Sequence, residues 1–377
     1  MAFSFTAEQQ EFRQVLRRYF AETSPTSLVR RLMETETGWE RGRWLQMNRD
    51  LGLCGVHVPE RYGGQGFGFA ELGIVLEEMG RALVCAPFFA SSVLATTAIL
   101  NAASEAQKTA LLPPIVAGER IATLALAEPS GRWDAGGVEA TATPTGGRGH
   151  VLDGEKSFVL DGAAADMVLV LARRPGSAGE DGLSLFRVGG DAPGLTRRPL
   201  KGLDPTRKIA RLSFTGVEAE LVGEEGAAWA PIALTLAQAA ACLASEMMGG
   251  AERLRESALD YANLRVQFGR PIASFQSMKH KQADMLLEVE LAKSAAYRAA
   301  AAADEDDPEL MALASLAKAA ASEAYLQTAI HAIQIHGGIG FTWDNDTHLW
   351  FKRAKSSEVF LGDAAWHREQ MMRAWGH

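Results

Sequence analysis

The residues whose types and spacing could do chemistry lie near the carboxyl end, where a polar glutamine precedes two glycines. Gln334 lies near the end of an alanine-rich, periodic stretch that predicts a helix. Gly337 and Gly338 break that pattern, because glycine accepts a positive φ and allows other atoms close to the backbone. A helix that ends on a glycine pair beside an amide side chain is typical of a binding place for a cofactor phosphate or ribose. The alternative is a glycine C-cap between two core helices, without a ligand.

Three further stretches extend this pattern. The stretch that begins at Tyr261 reads YANLRVQFG and is followed by SFQ, and the stretch from Gln334 reads QIHGGIGF. They resemble the Y-x-x-x-R-x-x-F-G … F-Q and Q-x-x-G-G-x-G-F signatures of the acyl-CoA dehydrogenase family. Upstream, Glu128-Pro129 resembles the family's T-E-P, and GEKSF, ending at Phe158, resembles its G-x-K-x-W. The matches follow the family's order along nearly the whole chain, so the sequence is identified as a member of that family.

The resemblance implies a reaction for which this sequence lacks the base. The family removes a proton next to a thioester carbonyl while a hydride leaves the adjoining carbon for FAD, which requires a carboxylate base in a dry pocket. The family's glutamate, in the context E-G-T-x-Q, is Leu361 here, and the position that a minority of relatives use instead is Ala239. Asp363 and Glu358 are the candidates for a relocated base, although side chains two apart face different ways. We therefore expect this chain to have no base.

The residues that would face a flavin in this chain have also changed. The family's T-E-P threonine is Ala127, and the Trp and Thr of its W-x-T pair are Phe158 and Leu160. The family's serine near the CoA tail is Trp133. Further positions that hold nucleotide or CoA in the family are Asp363, Ala365 and the run from Ala237 to Ala240. Several losses around one pocket predict that this chain does not hold a flavin of its own.

The other half of the family's FAD site is intact. In the family's dimers, one chain supplies the flavin pocket and base while its neighbour contributes the two glycine-containing motifs. The resemblance implies that Arg265 pairs with the pyrophosphate, which suits a guanidinium, whereas the alternative for Arg265 is a surface salt bridge. The other residues expected to bind FAD are Gln267, Phe268, Phe275, Gln276, Gln334, Gly337 and Gly338.

This asymmetry predicts a subunit of a heteromeric acyl-CoA dehydrogenase. It would complete the FAD site of a paralogous, base-bearing partner in an α2β2 assembly, with the acyl-CoA substrate in the partner's site. The resemblance implies CoA thioesters of bulky acids, such as steroid side chains, and an electron-transfer flavoprotein as the acceptor. Two alternatives remain: a homo-oligomeric dehydrogenase with a relocated base, and a flavin-free scaffold partner.

The elements that must position these residues predict an α+β protein of three domains. Helical periodicity predicts an all-α domain over 1–120, and short apolar runs with turn signals at Asp153-Gly154 and Asp161-Gly162 predict a β-sandwich or barrel over 121–225. Alanine-rich helices that can approach closely predict a four-helix bundle over 226–377. This order is that of the acyl-CoA dehydrogenase fold.

Composition limits the possible partners and compartment. The 377 residues carry a formal net charge of -8, which argues against nucleic acid as a partner. The cysteines Cys54, Cys85 and Cys242 are far apart and form no CxxC pair, so neither a disulfide framework nor a metal site is indicated. Acidic Glu8 and Glu11 lie where a signal peptide would need a cationic and then an apolar run. The sequence has no uninterrupted apolar run long enough to predict a membrane span. We expect a cytoplasmic protein.

Overall fold

The structure, a computed structural model, describes residues 5–146 and 149–376 and divides into two compact units. The first unit comprises the described residues of Met1–Arg31, Phe69–Val84 and Ala240–His377. Its elements are the helices α1 (Ala7–Thr23), α4 (Phe69–Arg81), α8 (Gln276–Asp304), α9 (Leu310–His336), α10 (Thr347–Val359) and α11 (Ala364–Ala374), most of α7 (Trp229–Leu264), and the hairpin strands β8 (Val266–Gln267) and β9 (Arg270–Pro271).

The second unit comprises Leu32–Gly68 and the described residues of Cys85–Ala239. Its helices are α3 (Arg41–Leu51), a π-helical segment (Phe89–Ala95), α5 (Thr96–Ala102) and α6 (Glu105–Val116), and α2 (Thr26–Met33) ends in it. Its strands are β1 (Ala122–Ala125), β2 (Thr141–Gly146), β3 (Gly149–Leu160), β4 (Met167–Arg173), β5 (Leu183–Gly189), β6 (Leu195–Leu200) and β7 (Ile209–Val222).

The seven strands of the second unit form a barrel-like sheet, as predicted. The strand order is β1-β4-β2-β3-β7-β5, and β5 also pairs with β4, so the pairing returns on itself. β6 pairs with β7. Small and β-branched residues fill the enclosed core, among them Val168, Val170 and Val188. Filling the space with side chains is what a small closed sheet requires.

One of the two turn signals in this sheet was wrong. Asp153-Gly154 lies inside β3, where the register with β7 shifts between Leu152 and Gly154. A Cβ on Gly154 would lie 2.7 Å from the Cα of Ala140, so the glycine permits a bulge and a close strand approach, not a reversal. The other signal was correct: β3 ends at Leu160, and Asp161 takes a positive φ of 50° in the turn.

In the first unit, α4 and α7 approach each other through glycines. A Cβ on Gly249 would fall inside contact distance of the Glu77 carbonyl oxygen, and a Cβ on Gly80 would do the same at the Glu246 carbonyl oxygen. Both obstacles are backbone atoms, so neither helix could accept a side chain there without moving. The sequence pattern of small residues therefore sets the distance between these helices.

Within the described residues, α7 is the helix that is long and apolar enough to cross a membrane by length and composition. In its most apolar window, 83% is buried inside the protein. Burial of that extent is the property of a core helix.

The α4–α7 contact yields a stability prediction. Gly249→Ala should lower the free energy of unfolding by about 1–3 kcal/mol, because the added methyl must displace the Glu77 backbone. Gly42→Ala in α3 is the matched control, since no atom lies within 4 Å of its Cβ position, and it should be neutral or stabilising by about 1 kcal/mol. Thermal unfolding of both variants measures the difference. Equal midpoints would contradict close packing of α4 on α7.

Candidate functional site

The first signature motif forms an exposed hairpin. α7 ends at Leu264, Arg265 follows, and β8 pairs with β9 around the turn Phe268-Gly269. Phe268 and Gly269 both take positive φ, 53° and 75°, which is the geometry of a tight two-residue hairpin turn. The Phe268 side chain is 92% exposed. The motif therefore projects an aromatic side chain away from the first unit.

A ring contact joins this hairpin motif to the glycine-pair motif. The rings of Tyr261 and His336 stack with centroids 4.5 Å apart and an interplanar angle of 25°. His336 is buried, with Nδ1 2.8 Å from the carbonyl oxygen of Ala332, and Gly337 follows with a φ of 66°. The two predicted motifs consequently lie side by side in the first unit. Both motifs were recognised in the sequence, but the contact between them was not predicted.

The surface around the two motifs is open to solvent and contains an exposed arginine, Arg265. Within residues 5–146 and 149–376, exposed Arg265 has no ion-pair partner, so the salt-bridge alternative finds no support. Gln334 is exposed, and no atom lies within 4 Å of a Cβ placed on Gly338, so packing within the described chain does not demand a glycine there. Exposed Gln276 begins α8, the end of a helix that favours anions. These residues fit the diphosphate and adenosine half of FAD.

The loop at the family's base position carries no free carboxylate. Leu361 is buried with a positive φ of 62°. Asp363 caps α11, because its Oδ1 accepts the backbone N–H of Trp366 at 2.8 Å. Glu358 pairs with Lys355, with 2.5 Å between Oε2 and Nζ. Both candidate bases thus have structural roles.

Buried polar groups hold this loop in place. Lys318 is fully buried on α9, and its Nζ donates to the carbonyl oxygens of Glu358 at 3.1 Å and Gly362 at 3.0 Å. The Nε2 of buried His367 lies 3.1 Å from the carbonyl oxygen of Leu361. These contacts define the backbone of the loop, although the Leu361 side chain at the base position cannot take a proton.

The alternative base position is also closed. Ala239 is fully buried, and its neighbour Gln238 accepts a hydrogen bond from Asn101 Nδ2 at 2.8 Å. In the first unit, the acid Glu246 of α7 is buried, and its Oε1 lies 2.7 Å from Nη1 of Arg353 on α10, so it packs at a helix interface.

In the second unit, the acid of the T-E-P-like stretch serves the fold. The fully buried Lys156 ammonium lies 2.7 Å from Glu128 Oε1, which also accepts the backbone N–H groups of Glu139 and Ala140. Burial lowers the pKa of Lys156 to about 8, against the opposing effect of Glu128. This pair joins the end of β1 to β3.

The positions that face the flavin in relatives offer no side-chain hydrogen-bond donor here. Ala127 and Leu160 are buried, and the Leu160 carbonyl oxygen accepts the Thr123 hydroxyl at 2.6 Å. Phe158 sits at a bulge in β3 with a φ of 59° and is 41% exposed. Trp133 is half-buried in the loop after β1. Ala127, Phe158 and Leu160 offer no side-chain hydrogen bond to the polar ring of an isoalloxazine.

Comparison with protein families gives matches along most of the chain. Three family models match in order: the acyl-CoA dehydrogenase N-terminal domain over residues 6–119, the middle domain over 123–217 and the C-terminal domain over 226–376. The chain belongs to the acyl-CoA dehydrogenase family. Its fold is the family's fold, with helical, β and helical parts along the chain.

Three relatives illustrate where this acyl-CoA dehydrogenase lies within the family. The acyl-CoA dehydrogenase IpdE2 of Mycobacterium tuberculosis is 32% identical over 94% of this chain and 93% of the relative. The structure of butyryl-CoA dehydrogenase from Megasphaera elsdenii gives a TM-score of 0.93 at 27% identity, with both chains fully covered. The structure of the Tcur3481-Tcur3483 steroid ACAD gives a TM-score of 0.88 at 30% identity, covering 98% of this chain and 97% of that chain.

The loop contact of His367 predicts an acid-dependent loss of stability. Burial, together with the nearby Lys318 charge, lowers the pKa of His367 from 6.5 to about 3. Between these values the unfolded chain binds a proton that the folded chain does not, so the free energy of unfolding should fall as the pH falls, by about 1.4 kcal/mol per pH unit. The free energy of unfolding, measured with denaturant at several pH values from 7 to 4, should fall less steeply with pH in His367→Gln than in the unchanged protein. Above pH 7 both proteins should change in parallel, and equal slopes at acid pH would contradict the assignment.

Proposed function

We propose that this chain is the subunit of a heteromeric acyl-CoA dehydrogenase that lacks a base and completes the FAD site of a base-bearing paralogue. The observation that supports this most directly is the contrast between two sites in the first unit. The hairpin and Gly337 surface is open and carries an unpaired Arg265, whereas the base loop holds buried Leu361 and two acids with structural partners. Such a chain can contribute to a shared site but has no group to start the reaction.

Each intact residue has a definite task in this proposal. The Arg265 guanidinium binds the diphosphate. Gln334 lies beside the nucleotide, and Gly338, which has no side chain, allows the nucleotide to lie against the backbone. Bound FAD supplies the hydride acceptor, and the partner's glutamate removes the α-proton of the acyl-CoA. This chain therefore contributes cofactor binding, and the partner contributes the chemistry.

A partner chain would cover apolar surface that the first unit leaves exposed. Large apolar side chains are exposed on the hairpin, on α8 and after the glycine pair: Leu264, Phe268, Leu287, Leu291, Ile339, Phe341 and Trp343. Clusters of exposed large apolar residues mark interaction surfaces in soluble proteins. Aromatic residues among them are the type that dominates binding energy at interfaces. A scaffold without flavin would use this surface too, but would not require Arg265.

The substrate class and electron acceptor follow from the relatives. One solved relative is a steroid ACAD whose name joins two components, Tcur3481 and Tcur3483. We propose a CoA thioester of a bulky acid, such as a steroid side chain, bound in the partner's site. We also propose an electron-transfer flavoprotein as the acceptor, which the family resemblance supports, and the cytoplasm as the compartment, which the composition supports.

Flavin counting tests the assembly. The complex purified through a tag on this chain should contain a second acyl-CoA dehydrogenase chain with a glutamate at the position of Leu361. Absorbance after denaturation should give about one FAD per two chains. Two FAD per pair of chains would contradict the proposal and favour an ordinary homologous site in each subunit.

Arg265 distinguishes the shared cofactor site from a scaffold. Arg265→Ala should weaken FAD binding by the complex at least about tenfold, because a charge-assisted hydrogen bond to the diphosphate is lost. Arg198→Ala is the matched control, since Arg198 is an exposed arginine on β6 and lies outside both motifs. Fluorescence titration of the stripped complex with FAD measures both. Unchanged FAD binding in Arg265→Ala would support the scaffold alternative.

The relocated-base alternative makes a different prediction. Asp363→Asn keeps a side-chain oxygen for the cap of α11, and Glu358→Gln loses a surface ion pair, so neither should change the turnover of the complex by more than about twofold. Steady-state kinetics with an artificial acceptor measures this. A loss of about a hundredfold or more in either variant would identify a base in this chain.

A further inference from the structure

The turn residue Phe268 has a conformation that the fold does not require. A bulky residue at a φ of 53° is strained, and the first central position of such a turn normally holds Asn, Asp or Gly. Its side chain is almost fully exposed, so few contacts are available to offset the strain. Strain of this kind persists where the surrounding structure enforces it, and it concentrates at functional segments.

A three-member stack next to the turn supplies that enforcement. The Arg270 guanidinium lies over the Phe275 ring, 4.1 Å from its centroid. The Phe268 ring meets the same Phe275 ring edge to face, with centroids 6.2 Å apart and an angle of 81°. Phe275 is half-buried and immediately precedes α8, so its ring is attached to a long helix. The stack therefore links the hairpin tip to a rigid element.

The hairpin has few other restraints. β8 and β9 contain two residues each, paired as Val266 with Pro271 and Gln267 with Arg270. The Ile272 N–H donates to the Arg265 carbonyl oxygen at 2.8 Å, which closes the base of the hairpin. A hairpin of this size is marginally stable in water without additional packing. The ring stack is the packing that acts at its tip.

We propose that Arg270 is a positioning residue, which orders the hairpin tip through Phe275 so that Arg265 and Phe268 are preorganised for the partner's cofactor. This inference rests on the proposed function for its purpose but not for its geometry. It also changes the expected role of Phe275, which becomes a platform under the hairpin and not a direct contact of FAD. Preorganisation of this kind raises affinity by removing the ordering cost of binding.

The isolated chain tests the geometry without a partner. Chymotrypsin should cleave after Phe268 about three to five times faster in Phe275→Leu and in Arg270→Ala, because loss of an exposed cation–π contact opens the tip more often. Cleavage after the exposed Phe341 in the same digest is the control and should not change. Rates are normalised to the unfolded chain, since Arg270 lies close to the cleaved bond. Unchanged cleavage after Phe268 in both variants would overturn the proposal.

The complex tests the purpose of the stack and separates positioning from direct binding. Arg270→Ala should weaken FAD binding about three- to fivefold, whereas Arg270→Tyr should restore it, because a neutral ring can stack on Phe275 but has no positive charge to form an ion pair with a phosphate. In the Phe275→Leu background, Arg270→Ala should have no further effect, since the contact is already lost. Failure of the Tyr variant to restore binding, or full additivity of the two changes, would assign Arg270 to the phosphate directly and overturn the proposal.

The two proposals fail in different ways. If Arg265→Ala leaves FAD binding intact, the shared site is wrong, whatever happens at Arg270. If Arg265→Ala removes FAD but Arg270→Ala leaves it unchanged, the shared site stands and the positioning role is wrong.

Discussion

The burial of the Lys318 ammonium is the constraint around which the first unit's site is arranged. A buried cation requires oxygen partners, and Lys318 takes them from the backbone at the end of α10 and from the loop beyond it. This fixes α9, α10 and the base loop as one body. The same helix α9 ends at His336, whose ring stacks on Tyr261 and thereby places the hairpin motif beside Gly337. A chain with Leu361 in this loop thus keeps the backbone of the loop and the geometry of the two motifs.

In the second unit, a buried ion pair lies beside positions where the family's polar residues are replaced by apolar ones. In the second unit, the Lys156–Glu128 pair and its backbone bonds remain, so the ends of β1 and β3 are joined even though the polar side chains beside them are gone. Ala127 and Leu160 remove hydrogen-bonding capacity without removing buried apolar volume. The chain's own buried ion pair and backbone hydrogen bonds therefore join β3 to the segment that follows β1.

Features of the fold and of the site that depend on a few neighbouring residues could be predicted from the sequence, whereas those that depend on distant residues could not. The helix break at Gly337 depends on glycine itself, and in the structure α9 ends at His336 with Gly337 at a positive φ. The Asp153-Gly154 signal failed because a pairing between distant strands overrode a two-residue preference. The ion pair of Glu246 with Arg353 and the Tyr261–His336 stack join residues far apart in sequence, so no local pattern announced them. The relation of Arg270 to Phe275 spans only five residues but needs the hairpin to bring them together.

The exposed apolar residues of the first unit have a consequence for how such a protein is made. Phe268, Leu291 and Phe341 are in contact with water in the single chain, and exposed apolar surface of this type promotes association with other chains unless, as in the proposed assembly, a companion covers it. Synthesis in excess of the companion would leave orphan molecules for proteases and chaperones to remove. Matched production of both chains, from adjacent coding regions or by folding on one another as they emerge from ribosomes, would be the economical solution for the cell.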